Sequence, residues 1–467
     1  MSVPSNKRQV LSVFSLVMIN VIAVDSIRGL PMAATYGFGL VFLYLVGTLL
    51  YFIPTALITA ELSTAWPEKG GLYSWVKNAF GPRFGFLVVY LQWIYNIVWY
   101  PTILTLIAGT CAYLYDPNLV NNQAFMLATV LITFWGCTLL NCFGMRLSSW
   151  VSTLGSIVGT LLPMSLMVIL AAKWVLAGNP SETPLAASNF IPKLSNIQEM
   201  VFFTGILFSL LGLEMSSVHA LEVKNPSKDY PRALLISVII IATSLTLASL
   251  AIAVIVPKGE LDIVTGIIQA FLLFFNKLGL PNAAPWVAGC IVIGGICAVA
   301  TWIIGPTKGL FAAADDGLLP KKLGQVNRFN VPLPMLILQG SICTVFSLVY
   351  LLLPSVKSAY WFLSAMAAQL AFLMYAVLFL SAIRLRYKHS DRKRPFRIPG
   401  GNVGIWVVGI VGFLVSISVI ILGFVPPQEI EVGSLWWYET LLVGGDLCIL
   451  APVFLMGKTR KWLCPKP

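Results

Sequence analysis

Charged residues are scarce in this sequence. They make up 10% of its 467 residues, whereas a typical soluble domain has about 25%. Hydrophobic residues reach 58% and come in runs of about 20 residues, each long enough to cross a bilayer core of about 30 Å. The runs do not alternate with polar residues as the strands of an outer-membrane barrel do. The composition therefore excludes a soluble globular protein and predicts an all-α polytopic membrane protein.

Residues that catalysis or metal binding would need are also few. The sequence has only two histidines, and its eight cysteines form no CxxC pair, so metal-ligand spacing is absent. It also lacks a GxxxxGK[ST] phosphate-binding loop and a GxSxG nucleophile elbow. We therefore predict free thiols, no cofactor, no bound metal and no enzymatic activity.

Acidic residues number 18 against 30 basic ones, which gives a formal net charge of +12. With the N-terminus in the cytoplasm, the predicted cytoplasmic segments hold 24 basic residues and the outer segments hold 5. Lysine and arginine accumulate on the cytoplasmic side of membrane proteins. The distribution predicts a multi-pass protein of the bacterial inner membrane with both termini in the cytoplasm. Basic residues that face anionic lipid explain the charge, so no nucleic-acid partner is predicted.

The hydrophobic runs predict twelve transmembrane helices in a single domain, 1–467. The segment 260–279 is shorter and flanked by charge, and it predicts a surface or re-entrant helix. The predicted spans are 9–34, 38–64, 85–114, 123–142, 148–177, 197–220, 231–256, 283–312, 332–354, 359–387, 403–425 and 435–457.

The first span contains the polar stretch "AVDSIRGLP", residues 23–31. Asp25 and Arg28 would each cost roughly 2.5–3.5 kcal/mol at the bilayer centre. Gly29 and Pro31 predict that the helix breaks there, and irregular backbone at this depth is tolerated where it lines a cavity. Arg28 either binds an anionic ligand or pairs with Asp25, and Asp25 is interpreted mainly as the neutralising partner.

The sixth span has a matching interruption, with Gly212 followed by Glu214. Paired interruptions in two halves of a chain indicate a transport site between inverted repeats. We predict a LeuT-like 5+5 arrangement, with repeats at 9–177 and 197–387 and two further helices in 403–457. Half-helix N-termini attract a carboxylate, while freed carbonyls attract an ammonium, so the expected substrate is an amino acid or a similar amine.

Four motifs resemble those of amino-acid permeases in the amino acid–polyamine–organocation superfamily, and the likeness extends over nearly the whole chain. The most similar subgroup is that of the bacterial glutamate/γ-aminobutyrate antiporters. The motifs are "ELSTAWPEKGGLYSWVKNAFG" (61–81), "GLEMSSVHALEVKNPSKDYPRAL" (212–234), "WIIGPTKGLFAAADDGLLP" (302–320) and "RPFRIPGG" (394–401).

The resemblance implies that Glu214, Trp302 and Tyr375 lie on functional positions of that subgroup. The chain departs from the subgroup at Ala298, where the antiporter has an acid, and at Arg28, where it has a tyrosine. The sequence given also stops before the antiporter's C-terminal plug. The resemblance therefore implies an amino-acid carrier, without implying glutamate specificity or acid gating.

The predicted site combines these residues with the two breaks. Gln92, Asn96 and Trp99 of the third span line the pathway or form interhelical hydrogen bonds. The substrate-binding candidates are Ser26, Arg28, Gly29, Gly212, Glu214, Trp302 and Tyr375, and the coupling or gating candidates are Asp25, Glu61, Glu222 and Lys308.

The predicted activity is secondary-active amino-acid transport by alternating access, with antiport favoured over proton symport. A channel would need a repeated pore motif, and an intramembrane enzyme would need a nucleophile–base pair or a metal cluster; neither pattern is visible. The identity of the amino acid, the direction of transport and the oligomeric state stay open.

Overall fold

The computed structural model describes residues 12–67, 71–143, 155, 157–192, 197–223, 225–315, 317–320, 322–329 and 331–456. These residues form helices and connecting loops and contain no β-strand. The helices are α1 (Val13–Val24), α2 (Leu30–Ala34), α3 (Gly37–Ala65), α4 (Leu72–Phe80), α5 (Pro82–Tyr115), α6 (Gln123–Cys142), α7 (Ile157–Leu176), α8 (Val201–Ser209), α9 (Pro226–Ile255), α10 (Gly266–Lys277), α11 (Ala284–Asp315), α12 (Leu333–Leu352), α13 (Val356–Lys388), α14 (Gly401–Leu422) and α15 (Leu435–Met456).

Nine helices within the described residues are long and apolar enough to cross a membrane, or ten with the bent pair that contains α1 and α2. The segment Val201–Ser217 and α10 are shorter apolar helices. Helix α15 has 22 residues and is not among these nine. The protein is thus polytopic and all-helical, and the predicted total of twelve spans stays a prediction.

Two helices form the centre of the bundle. In an apolar stretch of 18 residues from each helix, 83% of the residues of α13 and 78% of those of α5 are buried. The corresponding share for α14 is 28%. Helix α13 packs between α5 and α14, and α5 also packs on α11. A helix that is apolar on all sides is buried among others or faces lipid, so α14 belongs to the periphery.

Two glycines bring α7 and α11 into backbone contact. A Cβ atom added at Gly159 would lie 2.7 Å from the Gly294 nitrogen and 2.9 Å from the Cys290 oxygen. Small residues allow membrane helices to approach this closely. Because both helices contribute to the cavity described below, this contact fixes one of its walls.

The first predicted break is present, but it lies earlier than the sequence suggested. Helix α1 ends at Val24, and Asp25 and Ser26 have extended backbone before the short 3₁₀ turn Ile27–Gly29. The segments on either side are bent by 41°. Gly29 has ordinary right-handed backbone, and Pro31 lies in the first turn of α2, where its missing N–H is tolerated. Pro31 therefore starts the second half-helix instead of causing the break.

The second break depends on Gly212 as predicted. Helix α8 ends at Ser209, and the 3₁₀ helix Leu213–Glu222 begins after Gly212. Gly212 has φ of 119°, a conformation that favours glycine over any residue with a Cβ. The two breaks lie side by side, because an added Cβ on Gly212 would be 3.4 Å from the Ala23 oxygen and one on Gly29 would be 3.6 Å from Ser209.

Candidate functional site

A cavity lies between the two breaks. It has about 90 Å³ of space for the centres of water molecules, and by this measure one buried water needs about 10–15 Å³. The cavity therefore has room for a small molecule of amino-acid size. Its lining includes Asp25, Ser26, Arg28 and Gly29 of the first break, Phe208, Ser209 and Leu211 near the second, Asn96 and Trp99 of α5, Gly159 and Thr160 of α7, and Gly294, Gly295, Ala298 and Trp302 of α11.

Arg28 is held against α13. Its Nη1 donates to the Ser364 hydroxyl at 3.0 Å and to the Tyr360 hydroxyl at 3.4 Å, and the Tyr360 hydroxyl donates back to the Arg28 carbonyl at 3.2 Å. The guanidinium carbon also lies 5.4 Å from the centre of the Phe208 ring, within the range of a cation–π interaction. These contacts fix the side chain at the cavity wall.

The Arg28 guanidinium keeps unused donors. An arginine has five N–H donors, and no described residue accepts a hydrogen bond from its Nε or Nη2. Neither atom is among the fully buried polar atoms that lack a partner, so neither is fully buried, and the residue lines the cavity. A guanidinium in this state can bind a carboxylate through two parallel hydrogen bonds.

Asp25 does not neutralise Arg28. Within the described residues the two side chains form no ion pair within 4.0 Å. Instead, Asp25 Oδ2 accepts a hydrogen bond of 2.8 Å from the Ser244 hydroxyl of α9, and Oδ1 is buried with no hydrogen-bond partner. The predicted pairing fails because the extended backbone at Asp25 and Ser26 directs the two side chains to different helices.

Three predicted substrate-binding residues form a separate buried cluster that does not line the cavity. The Tyr375 hydroxyl donates to Glu214 Oε2 and accepts from the Gly212 N–H at 2.9 Å. Glu214 Oε1 also accepts from Gln92 Nε2 at 3.3 Å. The cluster ties the second break to α13 and α5, and its role in substrate binding stays a prediction.

The other predicted binding residues lie at the cavity. Ser26 and Gly29 line the cavity at the first break. Trp302 also lines it and lies beside Trp99, with ring centres 6.2 Å apart. The Tyr100 hydroxyl donates to the Trp302 carbonyl at 2.7 Å. This bond fixes the backbone of α11 at Trp302, a residue that borders the cavity.

A cluster of charged side chains surrounds Glu61 at the end of α3, separate from the Glu214 cluster. Arg386 of α13 forms a bidentate ion pair with the carboxylate, and the Ile398 N–H donates to it at 2.9 Å. Arg394 Nε lies 3.2 Å from Oε1 as an ion pair without hydrogen-bond geometry. Burial lowers the pKa of Arg394, attraction to Glu61 opposes that shift, and the guanidinium stays charged. The cluster joins α3, α13 and the segment that follows α13.

The remaining two gating candidates are Glu222 and Lys308. Their backbone is helical, and their side chains lie outside the described part of the structure. Groups of three or more metal-ligating side chains are absent from the described residues.

Ser244, Tyr360, Ser364 and the two arginines that pair with Glu61 were not predicted. Tyr360 and Ser364 are four residues apart on one face of a helix, but hydroxyls at this spacing are common in membrane helices. Their partner Arg28 lies 332 and 336 residues away in sequence, so no local pattern links them to it.

Comparison with known proteins agrees with this architecture. The family model for amino acid permeases matches residues 9–445. An uncharacterized transporter of Legionella pneumophila is 46% identical over 98% of this chain and 99% of its own length. A glutamate/gamma-aminobutyrate antiporter of Lactococcus lactis is 31% identical over 93% of this chain and 87% of its own. A probable agmatine/putrescine antiporter of the same species is 24% identical, with 95% and 94% coverage.

The family assignment and the helices long enough to cross a bilayer together define the class of the molecule. It is a multi-pass membrane protein and an amino-acid transporter, not an enzyme. The chain belongs to the amino acid permease family.

Proposed function

We propose that this protein exchanges one amino acid for another, or for an amine, across the bacterial inner membrane by alternating access. The observation that carries the proposal is Arg28, a residue of the cavity lining whose guanidinium is anchored to α13 by one nitrogen while its other nitrogens have no acceptor among the described residues. Such a group receives the carboxylate of an amino acid. The antiporter names of two relatives support exchange over net uptake.

The proposed architecture is a LeuT-like fold with repeats at 9–177 and 197–387, two further helices in 403–457 and both termini in the cytoplasm. The side-by-side breaks at Asp25–Ser26 and Gly212 support it, because each would open one repeat. Helices on either side of such a break can reorient while the cavity stays between them. In this scheme Glu61, Glu222 and Lys308 belong to coupling or gating, and Glu214 to substrate or proton coupling.

Exchange in proteoliposomes tests the carrier function. Purified protein is reconstituted with an internal pool of one amino acid, and entry of the labelled external amino acid is followed with and without that pool. All twenty amino acids and common amines are screened as counter-substrates, with and without a pH gradient. The proposal predicts saturable entry that an internal counter-substrate stimulates.

The same assay separates the alternatives. Entry that fails to saturate would favour a channel. Saturable entry that a pH gradient drives and an internal pool does not stimulate would favour proton symport. We expect Glu214→Gln to lower the exchange rate with unchanged protein yield, and wild-type rates in this variant would remove Glu214 from the mechanism.

A further inference from the structure

Asp25 is the one acidic residue that lines the cavity, and no basic side chain within the described residues forms an ion pair with it. The residue is 4% exposed and lines the cavity. Its Oδ2 has a single hydrogen-bond donor among the described residues, the Ser244 hydroxyl at 2.8 Å. Oδ1 has less than 1 Å² of exposed surface and no donor among the residues that the structure describes. A carboxylate can accept about four hydrogen bonds, so most of this capacity is unused.

A buried carboxylate in this state is unfavourable unless a positive group compensates it. Arg28 is three residues away, but its guanidinium contacts Ser364 and Tyr360 of α13 and Phe208 of α8. No other basic side chain forms an ion pair with Asp25 in the described part of the chain. The described residues therefore offer Asp25 no compensating charge, and a ligand cation that enters the cavity can supply one.

We propose that Asp25 is the receptor for the cationic amino group of the substrate. The inference rests on the proposed carrier function and specifies its substrate as a zwitterion or a cationic amine. Arg28 takes the carboxylate on the α13 side of the break, and Asp25 takes the ammonium on the α9 side. Because Oδ1 is buried, binding includes a rotation of the Asp25 side chain that brings this oxygen to the ligand.

The arrangement fixes the direction in which a substrate lies in the cavity. The opposite charges of Asp25 and Arg28 are both compensated only by a ligand that carries an ammonium and a carboxylate in the same molecule. A ligand with only one of these groups satisfies only one of the two residues. Asp25 is thus a specificity-determining residue, and its effect depends on which charged groups the ligand carries.

The test uses competition by matched ligands in the proteoliposome exchange assay. Each set contains an amino acid, its amine without the α-carboxylate and its acid without the amino group: alanine with ethylamine and propionate, leucine with isoamylamine and isocaproate, and glutamate with γ-aminobutyrate and glutarate. The set whose amino acid exchanges fastest in the wild type is used. Half-inhibition concentrations are compared for the wild type, Asp25→Asn and a control, Asp446→Asn.

Asp446 is a matched control because its Oδ1 is also buried without a partner, while the residue lies on α15 and outside the cavity lining. In Asp25→Asn we expect the amine to compete about tenfold less well or worse, because one charge-assisted hydrogen bond is lost. Competition by the acid should stay within about twofold of wild type. Asp446→Asn should leave all three ligands unchanged.

Equal weakening of all three ligands in Asp25→Asn would mean a structural role and would overturn the inference. Unchanged competition by the amine would overturn it as well. If Asp25→Asn does not yield monodisperse protein, Asp25→Glu replaces it: the inference then predicts altered competition by the amine with unaltered competition by the acid. Failure of the carrier function itself would appear separately, as absence of amino-acid exchange in the wild type.

Discussion

Glu61→Gln should destabilise this protein more than any single change of an exposed charge. Glu61 and Arg386 side chains are each 3% exposed, and Arg394 is 6% exposed. Removing one member of a buried ion pair costs about 3–5 kcal/mol, because the remaining charge stays buried and uncompensated. Here the substitution leaves two arginines without their shared carboxylate.

The loss can be expressed as a melting temperature. Unfolding entropies of about 2.1 cal/mol/K per residue give a chain of 467 residues about 1 kcal/mol/K. The expected loss then lowers the melting temperature by about 3–5 °C in detergent. Membrane proteins retain helices when they unfold, which reduces the entropy and makes the shift larger.

The ordering of variants tests the reasoning more sharply than one value. Arg386→Gln should cost less than Glu61→Gln, because Glu61 then keeps Arg394 and the Ile398 N–H. Lys357→Gln is the control, since it breaks an ion pair of 2.9 Å in which Lys357 is 46% exposed and such pairs contribute about 0–1 kcal/mol. Differential scanning fluorimetry of all three variants gives the comparison. Equal shifts for Glu61→Gln and Lys357→Gln would refute the argument.

Two further changes follow from the packing and from the cluster at the second break. Gly159→Ala should lower the free energy of unfolding by about 1–3 kcal/mol, because its Cβ would meet the backbone of α11. Gly136→Ala is the control, since no atom lies within 4 Å of the added Cβ. It should be neutral or stabilising in the same thermal scan. Tyr375→Phe should lower the free energy of unfolding by about 1–3 kcal/mol and slow exchange, because the Gly212 N–H and the Glu214 carboxylate lose the hydroxyl that joins them. Wild-type stability and exchange rate in this variant would show that the hydroxyl is dispensable.

The sequence was most informative where a residue type conflicts with its surroundings. Asp25 and Arg28 in an apolar run identified the first break, and Gly212 beside Glu214 identified the second; the structure has both. The family assignment was also predicted from motifs. These features could be read locally, because a charge or a glycine in a membrane helix is unfavourable whatever the rest of the fold is.

The partners of these residues could not be predicted in the same way. Arg28 pairs with residues of α13 instead of Asp25, and Glu61 pairs with Arg386, 325 residues away. Such contacts depend on how the helices pack, and many hydroxyls and arginines along the chain would satisfy the same chemistry. Gly29 was also expected to form the break, but the extended residues are Asp25 and Ser26, which backbone propensity alone does not single out.

The most direct test of the account is the effect of Arg28→Ala on ligand selectivity in the exchange assay. Arg28 is predicted to bind the substrate carboxylate, so the variant should raise the half-saturation concentration of the amino acid by about tenfold or more. The matched amine, which lacks the α-carboxylate, should compete as well as it does with the wild type. Equal loss of both ligands, or an unchanged affinity for the amino acid with a lower protein yield, would contradict the assignment of this cavity as the substrate site.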